Sequence, residues 1–167
     1  MRKWISGVVF ICLMMVISGC SHSLKDENED AVKNVEEAFN HKSEKITDGS
    51  NNVKFYLPFG MSIKDESPNN VIIKGKNDYI LFYNQNEKED SKIVYQMSKP
   101  EKNLVVDNTF KNKKQFGYLI VSKVEKDMYE VTVGIGGIKM TTESKEKNIA
   151  ANASKMMRVV KSVQYKK

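Results

Sequence analysis

Cys20 is the residue of this chain best equipped for chemistry. It follows the small-residue stretch Ile17-Ser18-Gly19, at the end of a mostly apolar run that opens with Arg2 and Lys3. A thiolate is the strongest soft nucleophile a protein carries, so a cysteine at such a junction suits covalent modification. The other reactive types are sparse. The only two histidines, His22 and His41, have neither a serine–aspartate pattern nor a cysteine cluster around them, so no triad and no metal site is expected. Carboxylates come in two runs, Asp26-Glu27-Asn28-Glu29-Asp30 and Glu87-Lys88-Glu89-Asp90, both in polar surroundings. General acid work needs a desolvated carboxylate, and these runs read as solvated; the first could hold calcium weakly, but it lacks the glycine and distant glutamate of an EF-hand loop.

The segment before Cys20 has the anatomy of a signal peptide. Arg2 and Lys3 form the positive start, residues 4–17 the apolar centre, and Ser18-Gly19 the small residues before a cleavage point. An apolar stretch of about 14 residues is too short for a membrane span, which needs ~20. The tetrapeptide Ile17-Ser18-Gly19-Cys20 resembles the lipobox of bacterial lipoproteins, with Ile17 where leucine is commonest. That resemblance implies a diacylglyceryl group on the Cys20 thiol, cleavage between Gly19 and Cys20, and an N-acyl group as an option on the freed amine. Two or three acyl chains anchor stably where one is marginal. The expected location is the extracytoplasmic face of the cell membrane, held by lipid.

Cleavage there removes Cys12, the other of two cysteines, and Trp4, the one tryptophan. The mature chain then has no internal disulfide, no CxxC metal knuckle and, once Cys20 is acylated, no thiol catalyst. No cofactor is expected beyond the covalent lipid. Its 148 residues suffice for one domain resting on its own hydrophobic core. The net charge of +6 falls to +4 on loss of Arg2 and Lys3. Lysine is spread along the chain, as suits a protein facing anionic lipid and wall polymers. The densest basic stretch, Lys111-Asn112-Lys113-Lys114, reads as a loop rather than a stripe interleaved with aromatics, so no nucleic-acid partner is expected.

The elements that must position any site follow from periodicity. Residues 20–29 read as a tether. Ala31, Val32, Val35, Ala38 and Phe39 then recur at helical spacing, predicting a helix over residues 30–46 that stands as a stalk. From residue 53 to 143 short strands alternate with turns: 53–57, 61–64, 71–74, 79–83, 93–97, 104–106, 116–124, 128–135 and 138–141. Gly75-Lys76-Asn77-Asp78 and Glu125-Lys126-Asp127 predict hairpins, and residues 79–83, apolar throughout, predict a strand covered on both faces. Gly134-Ile135-Gly136-Gly137 lacks a following helix, so it predicts a bulge or hairpin turn rather than a phosphate loop. Ile149, Ala153, Met156 and Val160 predict a final helix packed on the sheet, capped by Thr142 or Ser144.

The fold class expected is α+β, an antiparallel sheet of about five to seven strands with a carboxy-terminal helix on one face, within a domain spanning residues 53–167. The strand leading into Leu57-Pro58-Phe59-Gly60, with hairpins and a final helix, resembles in outline uncharacterised Bacillus-type lipoprotein domains. It is also similar to photosystem accessory and nuclear-transport domains. The expected function is non-catalytic: a membrane-anchored domain that binds a partner at the envelope, with tyrosines collected on an open face as the surface to look for. A structural subunit docking through the first helix and a cell-wall or lipid-modifying enzyme stay open as alternatives. Replacing Cys20 by Ala is expected to abolish cleavage after Gly19 and membrane retention; mass spectrometry of the amino terminus and cell fractionation check this, and unchanged processing with retention would refute it.

Overall fold

The computed structural model describes residues 23–166. The expected signal peptide, the cleavage pair Gly19–Cys20, the lipidation site Cys20 and His22 lie outside the described residues. In chain order the elements are α1 (Leu24–Asn40), β1 (Asp48–Gly49), β2 (Val53–Phe55), β3 (Ser62–Ser67), β4 (Asn70–Lys74) and β5 (Asp78–Tyr83). A short α2 (Ile93–Met97) leads to β6 (Leu104–Lys111), β7 (Phe116–Glu125), β8 (Met128–Ile135) and β9 (Ile138–Lys145). A 3-10 turn (Glu146–Asn148), α3 (Ile149–Ser162) and β10 (Gln164–Tyr165) end the chain. The fold is α+β. Seven antiparallel strands form one sheet in the order β3-β4-β5-β9-β8-β7-β6, and β1-β2-β10 form a small second sheet.

Three of the main sheet's hairpins form where turn chemistry placed them. β4 and β5 pair across Gly75-Lys76-Asn77, β7 and β8 across Lys126-Asp127, and β8 and β9 across Gly136-Gly137. Asp127 and Gly136 adopt positive φ, 59° and 54°, as tight two-residue connections require. β6 runs well past the expected 104–106 because its pairing with β7 continues to Lys111↔Phe116.

The amino-terminal helix begins at Leu24, six residues ahead of expectation. Ser23 accepts from the Asp26 amide while the Asp26 carboxylate accepts from the Ser23 amide and, at 2.7 Å, from its hydroxyl. This reciprocal pair satisfies two otherwise orphaned donors and starts the helix inside the stretch read as a tether. The helix stops at Asn40, so Lys42 and Lys45 lie beyond it, and its last turn holds no basic residue. Nor does it stand off as a stalk: Ala31, Val35, Ala38 and Phe39 are buried in the main core, and the Phe39 ring sits 5.9 Å from that of Phe110 on β6. The helix is therefore part of the domain's core rather than a lead into it.

Helices α1 and α3 lie side by side on one face of the sheet and run in the same direction. Glu27, in the first turn of α1, accepts from the Ala150 amide in the first turn of α3 at 2.9 Å. At the opposite end the Lys161 ammonium of α3 donates to the Phe39 carbonyl in the last turn of α1. Like poles of two helix dipoles are thus brought together, with an anion at the shared positive end and a cation at the shared negative end. Glu27 is buried, which corrects the reading of the first acidic run as wholly solvated. Thr142 and Ser144 lie in β9, so neither caps α3; its N-cap, Asn148, makes no side-chain capping bond, and Glu27 supplies the acceptor from across the core.

The predicted stripe Ile149, Ala153, Met156 and Val160 is buried, together with Ala150, Met157 and Val159. Asn152 interrupts this apolar surface with a purpose. It accepts from the Tyr79 hydroxyl and donates to Ser144 Oγ, both at 2.9 Å, so each partner in the relay is satisfied and the helix is pinned in register against β5 and β9. Glu27→Ala is expected to lower stability by about 1–3 kcal/mol, the cost of a buried amide left without an acceptor, with Glu27→Gln costing less. Urea midpoints of the two variants check this, and a midpoint unchanged in Glu27→Ala would refute it.

Candidate functional site

Antiparallel pairing turns side chains of alternate residues to opposite faces. One face of the large sheet, with Leu81, Met140, Val133 and Leu119 in a cross-strand row, lies under α1 and α3. The other carries the row Ile72, Ile80, Thr141, Thr132, Ile120 and Asp107. β5 follows this division: Tyr79, Leu81 and Tyr83 are buried, whereas Ile80 is 48 % exposed. The expectation that residues 79–83 are covered on both faces therefore fails, because both long helices pack on the same side.

The segment between β5 and β6 covers half of this second face. Residues 93–97, whose alternation predicted a strand, form the single turn of α2. Its start is steadied by Ser91 Oγ accepting from the Ile93 amide and its end by Ser98 Oγ donating to the Val94 carbonyl at 2.7 Å. Tyr95 points down onto Phe116 and Tyr118, ring centroids 5.3 and 5.2 Å away, and closes a second small core that includes Ile120. The Tyr118 ring lies flat over Gly134, where a Cβ would stand 2.2 Å from it. The glycine run thus serves a turn and a ring seat, not a phosphate.

Under this roof sit two groups with perturbed titration, Lys139 and Tyr118. Lys139 reaches from β9 to donate to Ser98 Oγ at 3.0 Å, and burial holds its amine below the ordinary lysine range, opposed by the Glu130 charge. The Tyr118 hydroxyl is buried without a well-formed hydrogen bond. Burial pushes it far above the usual phenol value, and the nearby Ser98 hydroxyl only tempers the rise. A serine beside a lysine invites a nucleophile–base reading, yet Ser98 commits its proton to Val94. The pair works as a strut between roof and sheet.

The uncovered half of the face is a shallow hollow of about 500 Å³ lined by Asn77, Asp78, Ile80, Met128, Glu130 and Thr141. Asp78 is held below its ordinary value, chiefly by its 2.7 Å bond from Lys64. Thr132 and Thr141 share a hydrogen bond of 2.9 Å across β8 and β9. The roof presents Ile93, half exposed, and Met97, 81 % exposed. The tyrosines do not collect here: Tyr79, Tyr83, Tyr118 and Tyr129 are buried. The exposed apolar groups of this face are aliphatic.

His41 ends α1 with its backbone amide donating to the Glu37 carbonyl, and its ring Nδ1 lies 3.1 Å from the Lys42 carbonyl oxygen. It lines a hollow of about 350 Å³ with Arg158 and Lys161, but those cations are committed, Arg158 to Glu44 at 2.6 Å and Lys161 to Phe39. The second acidic run is tied down, with Glu87 accepting from Ser91 and Glu89 from Gln115. Among the described residues, no group of three or more histidines, cysteines or carboxylates could hold a metal ion. No helix among them is long and apolar enough to cross a membrane.

No protein-family model matches the chain. No curated protein matches it either. The roof contact of Lys139 with Ser98 and the Glu27 cap on Ala150 join residues far apart in the chain, where no local pattern reveals them. Ser23-x-x-Asp26, a serine followed three residues later by an acid, was the signal for the early helix start. A lysine between Ile138 and Met140 was the signal that this strand face meets something polar.

The Tyr118 shift fixes the sign of a pH effect. A phenol whose folded value exceeds its unfolded one stabilises the fold below about pH 10, and that contribution is lost as pH rises toward the folded value. Lys139 acts oppositely: its burial cost is full at neutral pH and fades as pH rises through the window below 10.5. Tyr118→Phe is expected to leave stability at pH 7 unchanged or raised and to lose less stability than the wild type above about pH 10. Denaturation midpoints measured across that range check this; a variant as alkali-sensitive as the wild type would refute it.

Proposed function

We propose that the protein is an envelope lipoprotein, anchored at the extracytoplasmic face of the cell membrane by lipid on Cys20, whose domain binds a partner without catalysis. The observation that carries the binding reading is the uncovered half of the sheet's second face. Ile80 on β5 and Ile93 and Met97 on α2 are each exposed, all on the side of the sheet away from the long helices. Large exposed apolar groups gathered on one face mark an interaction surface more often than scattered ones do. Around them lie Asp78, Glu130 and the threonine pair, a polar rim able to orient a partner.

The first helix is poorly placed for the alternative role of a detachable docking element, since Ala31, Val35 and Phe39 are core residues. Its removal would open the core rather than release a partner from an intact sheet. In-cell cross-linking with mass spectrometry tests the proposal. A specific partner is expected with the wild type, lost with Cys20→Ser and weakened at least about tenfold by Ile80→Asp combined with Met97→Asp, the loss of more than one apolar contact. Capture indifferent to the paired substitution would refute this face, and capture indifferent to Cys20→Ser would refute a membrane-dependent interaction.

A further inference from the structure

The start of α1 and the start of β6 meet at one end of the domain and leave apolar surface there. A groove of about 780 Å³ runs between them over Leu24, Val32, Val105 and Val106, with Lys25 and Glu29 on its rim. β6 is the edge strand of its sheet, and a register shift between Leu104 and Val106 bends it here. Leu104 is 45 % exposed, and Val124, on the neighbouring strand at the same end, is 52 % exposed. Asn28 Oδ1, in the groove wall, is buried without a hydrogen-bond partner.

We propose that this end of the domain, carried by Leu24, Leu104, Val105 and Val124, rests on the lipid bilayer. The inference rests on the Cys20 anchor and deepens it. The decisive constraint is length: with Ser23 capping the helix, only residues 21–23 separate Cys20 from Leu24. At ~3.6 Å per extended residue, the Leu24 backbone lies within about 14 Å of the Cys20 backbone. The polar layer of one leaflet is itself about 5–8 Å deep, so a domain wider than that gap meets the surface at the end where its chain enters. The apolar groove and exposed Leu104 and Val124 are at that end.

Charge explains why the anchor is needed. Residues 24–40 hold six carboxylates against two lysines in an otherwise basic chain, so an anionic surface does not attract this helix. Apolar contact alone is small; the covalent lipid makes it intramolecular and raises its effective concentration.

Tryptophan fluorescence tests the seating, because the mature chain holds no tryptophan. The lipidated protein, carrying Leu104→Trp or, as a second reporter at the same end, Val124→Trp, is reconstituted in vesicles of phosphatidylethanolamine and phosphatidylglycerol with brominated acyl chains. Lys113→Trp, in the loop at the far end of the β6–β7 hairpin, is ~25 Å away along the strand and serves as the control. Seating to headgroup depth is expected to quench the first two by about half while leaving the control unchanged. It is also expected that unlipidated Cys20→Ser protein does not float with the vesicles. Flotation with lipid mass on Cys20 but no quenching at Leu104→Trp or Val124→Trp would overturn the seating and leave the anchor standing. A wild-type chain without lipid on Cys20 that fails to float would overturn both.

Discussion

Two long helices pointing the same way on one side of a sheet place like poles of their dipoles together, and this domain depends on how that repulsion is met. Glu27 sits where both amino ends converge and accepts from Ala150; Lys161 sits where both carboxyl ends converge and donates to Phe39. Each charge serves the neighbouring helix's unpaired backbone as well as its dipole, so one contact does two jobs. Burial lowers the Lys161 amine's proton affinity, opposed by the Glu89 charge. The pair of contacts makes α1 a core element. From that follows a second sheet face left to be covered by something else.

What covers it is a short segment held by a few specific bonds. The roof over β7 and β8 rests on Tyr95 stacked against Phe116 and Tyr118, on Lys139 reaching Ser98, and on backbone bonds from Phe116 to Glu89 and from Asn84 to Gly137. A half-buried lysine with a hydroxyl acceptor is a costly strut, tolerable because Ser98 is itself satisfied by Val94. The roof ends before β5, and there the sheet shows Ile80 to solvent. Covered and uncovered halves of one face thus arise from a single loop too short to span all seven strands.

Legibility in the sequence tracked the range of the interactions involved. The hairpins at residues 75–77, 126–127 and 136–137 were readable because turn chemistry is local: Asp127 and Gly136 take positive φ in two of them, and Gly75 and Asn77 flank the third. The stripe of α3 was readable because 3.6-residue periodicity records which side is buried. The α2 turn was misread as a strand because five residues fit either period, and its helical form depends on Ser91, Ser98 and the aromatic floor beneath Tyr95. Residues 79–83 looked doubly covered because Ile80 and Phe82 are as apolar as their buried neighbours; composition does not report which face the helices chose. The helix start at Ser23–Asp26 was readable and was missed, since the polar run after Leu24 outweighed a two-residue cap.

The sequence by itself determined most of the strands, the hairpin turns and the buried stripe of α3, because each depends on residues near one another in the chain. Only the tertiary structure decided that α1 belongs to the core, that Glu27 is a buried cap rather than surface charge, that the tyrosines turn inward and that half of one sheet face stays bare. Those outcomes rest on contacts between residues more than a hundred positions apart, such as Glu27 with Ala150 and Phe39 with Lys161. Chain order carries no local trace of such pairs, since what selects them is the burial of both helices on the same side of the sheet.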